Sequence, residues 1–342
     1  VAAALHSGVD LVLQLPLPYA VSTAEHFAAG AVQSLAALGC VDTLVFGSEC
    51  GETEKLRCAA EALLREDFSE RLRDELSKGM SFAAARESAA RTLIGEDAGV
   101  LAEPNDILGV EYCKALLQSG STITPLVMER RAVGHNEGAA GGFASASYIR
   151  ALLAGGEDAS AFLTAESAAI YARECAAGRA PVTMKGAERA MLSRLRMLEE
   201  ADFARYDSGG EGLYRRFYAA VRTAASVDEL LGTVKTKRYA YARLRRMLLA
   251  AYLDIAAAEL PQEIPYLRVL ACNERGRMLL RAIKKEGSAP VLTKSADVRS
   301  LSEEAQRLFA LSARACDQYV LAYPELRATK GGGAWTQGPV IV

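Results

Sequence analysis

Short apolar runs alternate with amphipathic segments in the first part of the chain. A nearly continuous apolar run from Asp10 to Pro16 is typical of a buried strand, and Val41 to Phe46 and Thr122 to Met128 have the same character. Apolar positions at helical spacing predict helices over Ser22 to Leu38, over Asn105 to Gln118 and over 145–154. The charged segment 53–95 is predicted to form two helices. Because parallel strands need a crossover helix, this alternation predicts an α/β domain with a parallel sheet.

The pattern changes after Gly155 and Gly156. From residue 160 onward helical spacing dominates, and strand-like runs are nearly absent apart from 290–292. The segment from Tyr241 to Ile255 shows the clearest spacing of three and four residues. A length of 342 residues suits two domains. We therefore predict an α/β domain over 1–155 and a mainly α-helical domain over 156–342.

Composition narrows the class of protein. Apolar residues make up 51% and charged residues 24% of the chain, which excludes a disordered protein. The 40 basic and 42 acidic residues give a net charge of −2, which excludes a uniformly basic chain but not a local basic patch. Seven cysteines without a CxxC pair predict buried free thiols in a reduced cytoplasm rather than disulfides or zinc. With three histidines, no metal site is expected, and no segment suits a signal peptide or membrane span.

Two loops carry candidate nucleotide chemistry, one after a predicted strand and one at the start of a predicted helix. Gly47, in Phe46-Gly47-Ser48-Glu49, ends a strand where a nucleotide can approach the backbone closely, whereas this motif by itself favours a plain turn glycine. Asn105, in the string PNDILG, offers a donor and an acceptor suited to a base or ribose, or it simply caps the helix.

Hydroxyl and basic residues suggest phosphate contacts farther along. Ser145, Ser147 and Arg150 open a predicted helix, and S-x-S/T-x-I-R resembles the phosphate-binding motif of nicotinate and pantetheine-phosphate adenylyltransferases. A capping serine with a surface arginine is the alternative. Arg130 and Arg131 follow the third strand, where they face a triphosphate or form a solvated pair.

A basic segment in the second half predicts RNA binding. Basic side chains neutralise phosphates and tyrosines stack on bases, whereas the alternative is a solvated helix face with core tyrosines. The candidate RNA-binding residues are Lys235, Lys237, Arg238, Tyr239, Arg243, Arg245 and Arg246, on a helix expected to begin at 235 with Tyr241 interleaved.

These strings together resemble the bacterial tRNA(Met) cytidine acetate ligase family across essentially the whole chain. The resemblance lies in GVDLVLQLP from Gly8, FGSE, PNDILG, ASASYIR, KTKRY from Lys235, RVLACNERG from Arg268 and DQYVLAYP from Asp317. It implies a Rossmann-like nucleotidyltransferase domain with a parallel sheet, followed by a mainly α-helical domain that binds tRNA.

The resemblance also implies a reaction. The family activates acetate with ATP as acetyl-adenylate, and it transfers the acetyl group to N4 of the wobble cytidine, position 34, of elongator tRNA(Met). Gly47 and Asn105 match the family's ATP-binding residues, and its ATP-binding arginine falls on Arg130 or Arg131, of which we favour Arg130. Mg²⁺ is expected with the ATP, acetate as co-substrate, and neither DNA nor a membrane as partner.

One departure concerns the adenylation step. The family opens with an N-P-F-H-x-G-H box that stabilises the α-phosphate, and on its layout roughly fifty residues precede Val1, so no catalytic residue is predicted here. His6 begins a similar string without the second histidine. We expect a chain of this sequence to be inactive or very weak in the adenylation step.

Two other functions fit parts of the pattern. An adenylyltransferase acting on a small phosphate ester would need only the Ser145 to Arg150 motif, and a non-catalytic RNA-binding fragment would need only the basic segment. Pyrophosphate release separates them, because it depends on acetate for the ligase, is independent of acetate for the second enzyme, and is absent for the fragment.

Overall fold

Helices and short strands are described by the computed structural model for residues 1–130, 139–140, 143–207, 209, 212–256 and 260–342. The strands are β1 (Leu11–Gln14), β2 (Thr43–Ser48), β3 (Thr124–Glu129), β4 (Ala139–Ala140), β5 (Phe143–Ala144), β6 (Leu267–Cys272), β7 (Val291–Leu292) and β8 (Val340–Ile341). The α-helices are α1 (Ala2–His6), α2 (Ala24–Ala36), α3 (Thr53–Leu63), α4 (Phe68–Ser77), α5 (Phe82–Ile94), α6 (Pro104–Ser119), α7 (Ala146–Gly155), α8 (Ala165–Ala176), α9 (Glu188–Arg196), α10 (Glu200–Ala204), α11 (Leu213–Thr223), α12 (Val227–Val234), α13 (Tyr241–Leu253), α14 (Glu274–Glu286), α15 (Glu303–Val320) and α16 (Gly333–Thr336).

The chain divides into two compact units. A larger unit comprises Val1–Val21, Val133–Arg281 and Pro290–Val342, and a smaller unit comprises Ser22–Ala132 and Ala282–Ala289. The larger unit contains residues on both sides of residue 155, because β1 near the start of the chain pairs with β6 near its end. The division into 1–155 and 156–342 stays a prediction.

The smaller unit contains the predicted parallel strand pair. β2 and β3 run parallel in a register from Thr43 opposite Thr124 to Ser48 opposite Glu129, and the helices α3 to α6 supply the crossover. Leu56 and Val110 are fully buried between these helices. The parallel α/β prediction is confirmed here.

Mixed strands form the sheet of the larger unit. β1 pairs antiparallel with β6, and both β7 and β8 pair parallel with β6. The prediction of β1 as a buried strand of the parallel sheet is wrong: its four residues are half-buried, and it pairs antiparallel in a different sheet from β2 and β3. β6 was not predicted, since it is a single short run within a helix-rich half of the sequence.

Helices α9 to α13 build the main core of the larger unit. Phe203, Phe217, Leu230 and Leu244 are completely buried in it. Their burial follows from apolar residues repeating on one face of each helix. The prediction of a mainly α-helical second half is confirmed.

One segment of the smaller unit differs from its prediction. Residues 53–95 form three helices, α3, α4 and α5, instead of two. Asp67 precedes α4 and binds both Arg65 and Arg71, and Ser81 begins α5 by accepting the backbone N–H of Ala84 at 3.4 Å. These local side-chain bonds add a break to a charged stretch whose pattern predicts two helices.

The cysteines differ in burial. All seven cysteines are free, but only Cys113 and Cys272 are buried, while Cys40 is exposed, so the expectation of buried thiols holds for part of them. Among the described residues, none of the helices combines the length and apolarity required to cross a membrane.

Candidate nucleotide-binding site

The carboxyl ends of β2 and β3 bring two of the predicted residues together in the smaller unit. Arg130 continues from β3, and its backbone N–H donates to the carbonyl oxygen of Ser48 at 2.8 Å. Gly47 lies beside it, and a Cβ atom at this position would lie 3.3 Å from Cγ of Arg130. Gly47 therefore leaves room for the exposed Arg130 side chain to lie across the end of β2.

The start of α6 supplies the third predicted residue. The side-chain amide of Asn105 donates to Oε1 of Glu49 at 2.5 Å, and the backbone N–H of Asp106 donates to Oε2 of Glu49 at 2.9 Å. The N-cap residue is Glu103, which makes no side-chain bond, so Asn105 is not the helix cap. Glu49 reaches across from the loop after β2 and satisfies the first turn of α6 instead.

A second carboxylate, that of Asp106 in α6, accepts hydrogen bonds from the loop after β2. Asp106 is buried, with 1% exposure, and its Oδ1 accepts the backbone N–H of Glu49 at 2.8 Å and of Cys50 at 3.2 Å. The hydroxyl of Ser48 also donates to this oxygen. Loop and helix thus each place a carboxylate on the other's N–H groups, which fixes Gly47 and Asn105 on one rigid support.

The electrostatics of Glu49 agree with this role. Partial burial acts to raise the pKa of Glu49, but the hydrogen bonds from the Asn105 side chain and from the backbone of Asp106 and Asn105 outweigh it, so the pKa lies below its usual value. Glu49 is therefore a charged acceptor at neutral pH. We call the set of Ser48, Glu49, Asn105 and Asp106 the carboxylate latch.

No local pattern predicts the carboxylate latch, although its residues lie inside the strings FGSE and PNDILG. Glu49 and Asp106 were given no role there. Two acidic residues, each next to a candidate ligand residue, are the only signal in the sequence, and their pairing spans 57 positions. Residues so far apart carry no local pattern that would reveal the contact.

The last glycine of PNDILG has a packing role. A Cβ atom at Gly109 would lie 2.7 Å from Cε2 of Phe46 and 2.8 Å from Cδ1 of Leu56. The absence of a side chain lets α6 approach β2 closely at this point. This approach sets the distance between the start of α6 and the end of β2.

The remaining predicted ATP-binding residues belong to the larger unit or lie outside the described residues. Ser145 caps α7 in the larger unit by accepting the backbone N–H of Tyr148 at 3.1 Å, which agrees with the capping alternative. Ser147 and Arg150 are exposed, and the Arg150 guanidinium donates to the Ser147 hydroxyl at 3.4 Å. Arg131 lies outside the described residues.

The predicted RNA-binding segment begins with a loop, not a helix. α13 starts at Tyr241, so the expectation of a helix from residue 235 is wrong. Tyr239 is 5% exposed and packs in the helical core, which matches the core-tyrosine alternative and removes its ring from contact with a base. Tyr241 is 48% exposed, with Nζ of Lys235 5.5 Å from the centre of its ring.

The basic side chains of this segment divide into two groups. The guanidinium of Arg243 lies 5.2 Å from the Tyr239 ring centre and 3.4 Å from a carboxylate oxygen of Asp207. Burial, followed by repulsion from Arg243, lowers the pKa of the half-buried Arg246. Lys237, Arg238 and Arg245 are exposed and stand on the surface of the larger unit.

Comparison with known proteins places this geometry in a family. The family described as HIGH Nucleotidyl Transferase matches residues 1–332. A tRNA(Met) cytidine acetate ligase of Acetivibrio thermocellus is 33% identical over 99% of this chain and 86% of its own length. A protein of the same description from Fervidobacterium nodosum is 36% identical over 90% of this chain and 74% of its own length.

Solved structures agree with the sequence relatives. The crystal structure of Thermotoga maritima TmcAL bound with alpha-thio ATP matches with a TM-score of 0.92 and 30% identity, over 99% of this chain and 85% of that one. The apo form of the same protein matches with a TM-score of 0.94, over 99% of this chain and 86% of that one. The chain belongs to the tRNA(Met) cytidine acetate ligase family of HIGH nucleotidyltransferases.

Proposed function

We propose that the chain is an ATP-dependent acetate ligase that forms N4-acetylcytidine at wobble position 34 of elongator tRNA(Met). An acetate oxygen attacks the α-phosphorus of ATP, and the bond to the β-phosphate breaks to release pyrophosphate. The N4 amine of cytidine then attacks the acetyl carbon of the adenylate, loses a proton and releases AMP. Holding N4 beside this activated acyl group supplies most of the acceleration in the second step.

The observation that carries the proposal is the shared support of Gly47, Asn105 and Arg130. Gly47 leaves room for the Arg130 side chain to lie across the strand end, and this exposed guanidinium suits a phosphate. Asn105 keeps an amide oxygen and a second N–H for a base or ribose, because Glu49 takes one donor. An ATP analogue bound to the Thermotoga maritima relative supports this assignment.

The phosphate side of the proposal includes Ser147 and Arg150, whose exposed side chains stand at the start of α7. Arg131 and Ser145 complete the proposed set. Mg²⁺ is proposed to enter with the ATP, held by phosphate oxygens, because the carboxylates of Glu49 and Asp106 already accept N–H groups.

The proposed tRNA surface consists of Lys237, Arg238 and Arg245, with the exposed ring of Tyr241 as a stacking platform. Tyr239, which packs in the core, lies under the Arg243 guanidinium, and the half-buried Arg246 is near Arg243. Lys235 lies beside the Tyr241 ring. These four residues are proposed to support the surface. We place the reaction in the cytoplasm, which agrees with seven free thiols.

Arg130→Ala tests the nucleotide part of the proposal. Losing a charged hydrogen bond to phosphate should raise the Kd for ATP by about 10- to 150-fold, which corresponds to about 1.5–3 kcal/mol. Equilibrium dialysis with labelled ATP measures it, and Arg73→Ala, which removes an exposed arginine from the same unit, should leave the Kd unchanged.

A non-hydrolysable acetyl-adenylate analogue, the acetyl-sulfamoyl adenosine, should displace the labelled ATP competitively from the unchanged chain. Equal ATP binding by Arg130→Ala, or failure of the analogue to compete, would contradict the assignment. An adenylyltransferase for phosphate esters would share the adenosine contacts, so adenosine 5′-sulfamate without the acetyl group is the comparison: it should compete less well than the acetylated analogue only if the site accepts acetate.

A further inference from the structure

A cleft in the larger unit lies where the string DQYVLAYP meets the sheet. Its volume is about 560 Å³, within the range of about 300–1,000 Å³ that small-molecule pockets occupy. The C-terminal part of α15, the start of β6 and the segments after β7 and before α16 line it. We call it the tyrosine cleft, and its defining residues are Arg268, Lys294, Asp317, Tyr319, Tyr323 and Lys330.

The charges of the tyrosine cleft favour an anion. Four basic residues line it, the fourth being Arg179, against the single carboxylate of Asp317. Oδ1 of Asp317 already accepts the backbone N–H of Gly332 at 2.7 Å. Arg179 is paired with Glu174 at 2.7 Å, so the other three basic residues outnumber Asp317 and leave the cleft positively charged.

Arg268 is the most confined of these cations. It is half-buried, and its guanidinium donates to Oε1 of Gln14 at 3.2 Å and to the carbonyl oxygen of Ala334 at 3.0 Å, both of them neutral. Its guanidinium lies 4.8 Å from the centre of the Phe309 ring. A positive charge that is held by neutral oxygens and a ring raises the potential of the cleft toward an incoming phosphate.

The two lysines stand at the exposed rim. Lys294 and Lys330 both face solvent, and the ion pairs recorded within the described part of the chain include neither. A lysine ammonium on a flexible stem is suited to contact a backbone phosphate as a point charge. The rim and the interior of the tyrosine cleft therefore both carry positive charge.

Aromatic surface lies beside these charges. Tyr319 is 56% exposed although it belongs to α15, whose other face is buried in a core. Its ring meets Tyr323 edge to face, with ring centres 5.9 Å apart at 85°. This contact fixes the Tyr319 ring and leaves a flat face for stacking, as bases require.

We propose that the tyrosine cleft binds one unstacked nucleotide of the RNA substrate, with its base against Tyr319 and its flanking phosphates at Lys294 and Lys330. The proposal rests on the proposed function for the identity of the RNA. Clustered cations beside an exposed ring match single-stranded nucleic acid, whose units alternate phosphate and base. An acidic peptide would use the charges but not the ring face.

Binding of an elongator tRNA(Met) anticodon stem–loop, followed by fluorescence anisotropy, tests this site. Tyr319→Ala should weaken binding by about 5- to 140-fold, the range that loss of one base stack gives, whereas Tyr319→Phe keeps the ring and should bind like the unchanged chain. For the double variant Lys294→Ala/Lys330→Ala, the slope of log affinity against log salt should shrink by about 1.4, since each phosphate contact contributes about 0.7. Lys78→Ala removes a charge from the smaller unit and serves as the control.

The outcomes separate the two proposals. If the unchanged chain binds no stem–loop, both the RNA substrate and the cleft are overturned. If it binds but the Tyr319 and lysine variants bind equally well with the same salt slope, only the cleft is overturned. Displacement of the RNA by polyglutamate at equal charge concentration, with no effect of Tyr319→Ala, would overturn it in favour of an acidic protein partner.

Discussion

Neighbouring residues at the end of β2 have two different roles, one in the candidate site and one in holding the loop in place. Gly47 makes room for the exposed Arg130 side chain, while Ser48 and Glu49 hold the loop to α6. The sequence predicts the first pair, because glycine and arginine after a strand have a recognised use. It does not predict the second pair, because hydrogen bonds between residues 57 positions apart leave no local pattern.

Asp106→Asn should destabilise the smaller unit by about 1–3 kcal/mol, the cost of leaving a buried donor unsatisfied. An asparagine turns an N–H₂ group toward the N–H donors of Glu49 and Cys50 and cannot accept from all of them. Urea unfolding measures the loss, with the exposed Asp74→Asn as control. An unchanged urea midpoint would show that the latch contributes nothing to stability.

Glu49 adds a pH dependence with a defined sign. Because folding lowers its pKa, the stability that it contributes is present above the ordinary glutamate pKa of about 4.3 and is lost as pH falls through the lower folded value. The difference in melting temperature between the unchanged chain and Glu49→Gln should therefore shrink as pH falls from 7 to 3. Glu66→Gln, an exposed control, should show no such trend, and a constant difference for Glu49→Gln would contradict the account.

Elements differ in how well their sequences predict them. β2, α6 and β3 follow from apolar runs punctuated by Gly and Pro, and the structure confirms them with shifts of one or two residues at their ends. β6 was not predicted, because it is one short run in a helix-rich half of the chain and its partner β1 lies far away in the sequence. The helix expected from 235 was wrong because Tyr239 turns into the core and ends the exposed helical pattern there.

Packing between α6 and β2 provides the test at this scale. Gly109→Ala places a Cβ atom within 2.8 Å of Phe46 and Leu56 side chains, and such overpacking should cost about 1–3 kcal/mol. Gly99→Ala is the matched control, because nothing lies within 4 Å of its added Cβ atom. Urea unfolding of both variants compares them, and equal stability would mean that α6 can shift without penalty.

For the whole molecule, a net charge of −2 conceals local segregation. The larger unit gathers basic residues on the surface of Lys237, Arg238 and Arg245 and again in the tyrosine cleft. The smaller unit contains the Gly47, Asn105 and Arg130 site with its acidic latch. A near-neutral total therefore agrees with a protein that handles both ATP and RNA.

Acetyl transfer from supplied acetyl-adenylate to an elongator tRNA(Met) transcript measures the proposed function in one assay, because it needs the nucleotide site and the RNA surface together. Mass spectrometry of the digested RNA should show N4-acetylcytidine at position 34, and none in initiator tRNA(Met) or in an elongator transcript with uridine at that position. No acetylcytidine above the protein-free level, or equal acetylation of initiator tRNA(Met), would contradict the account.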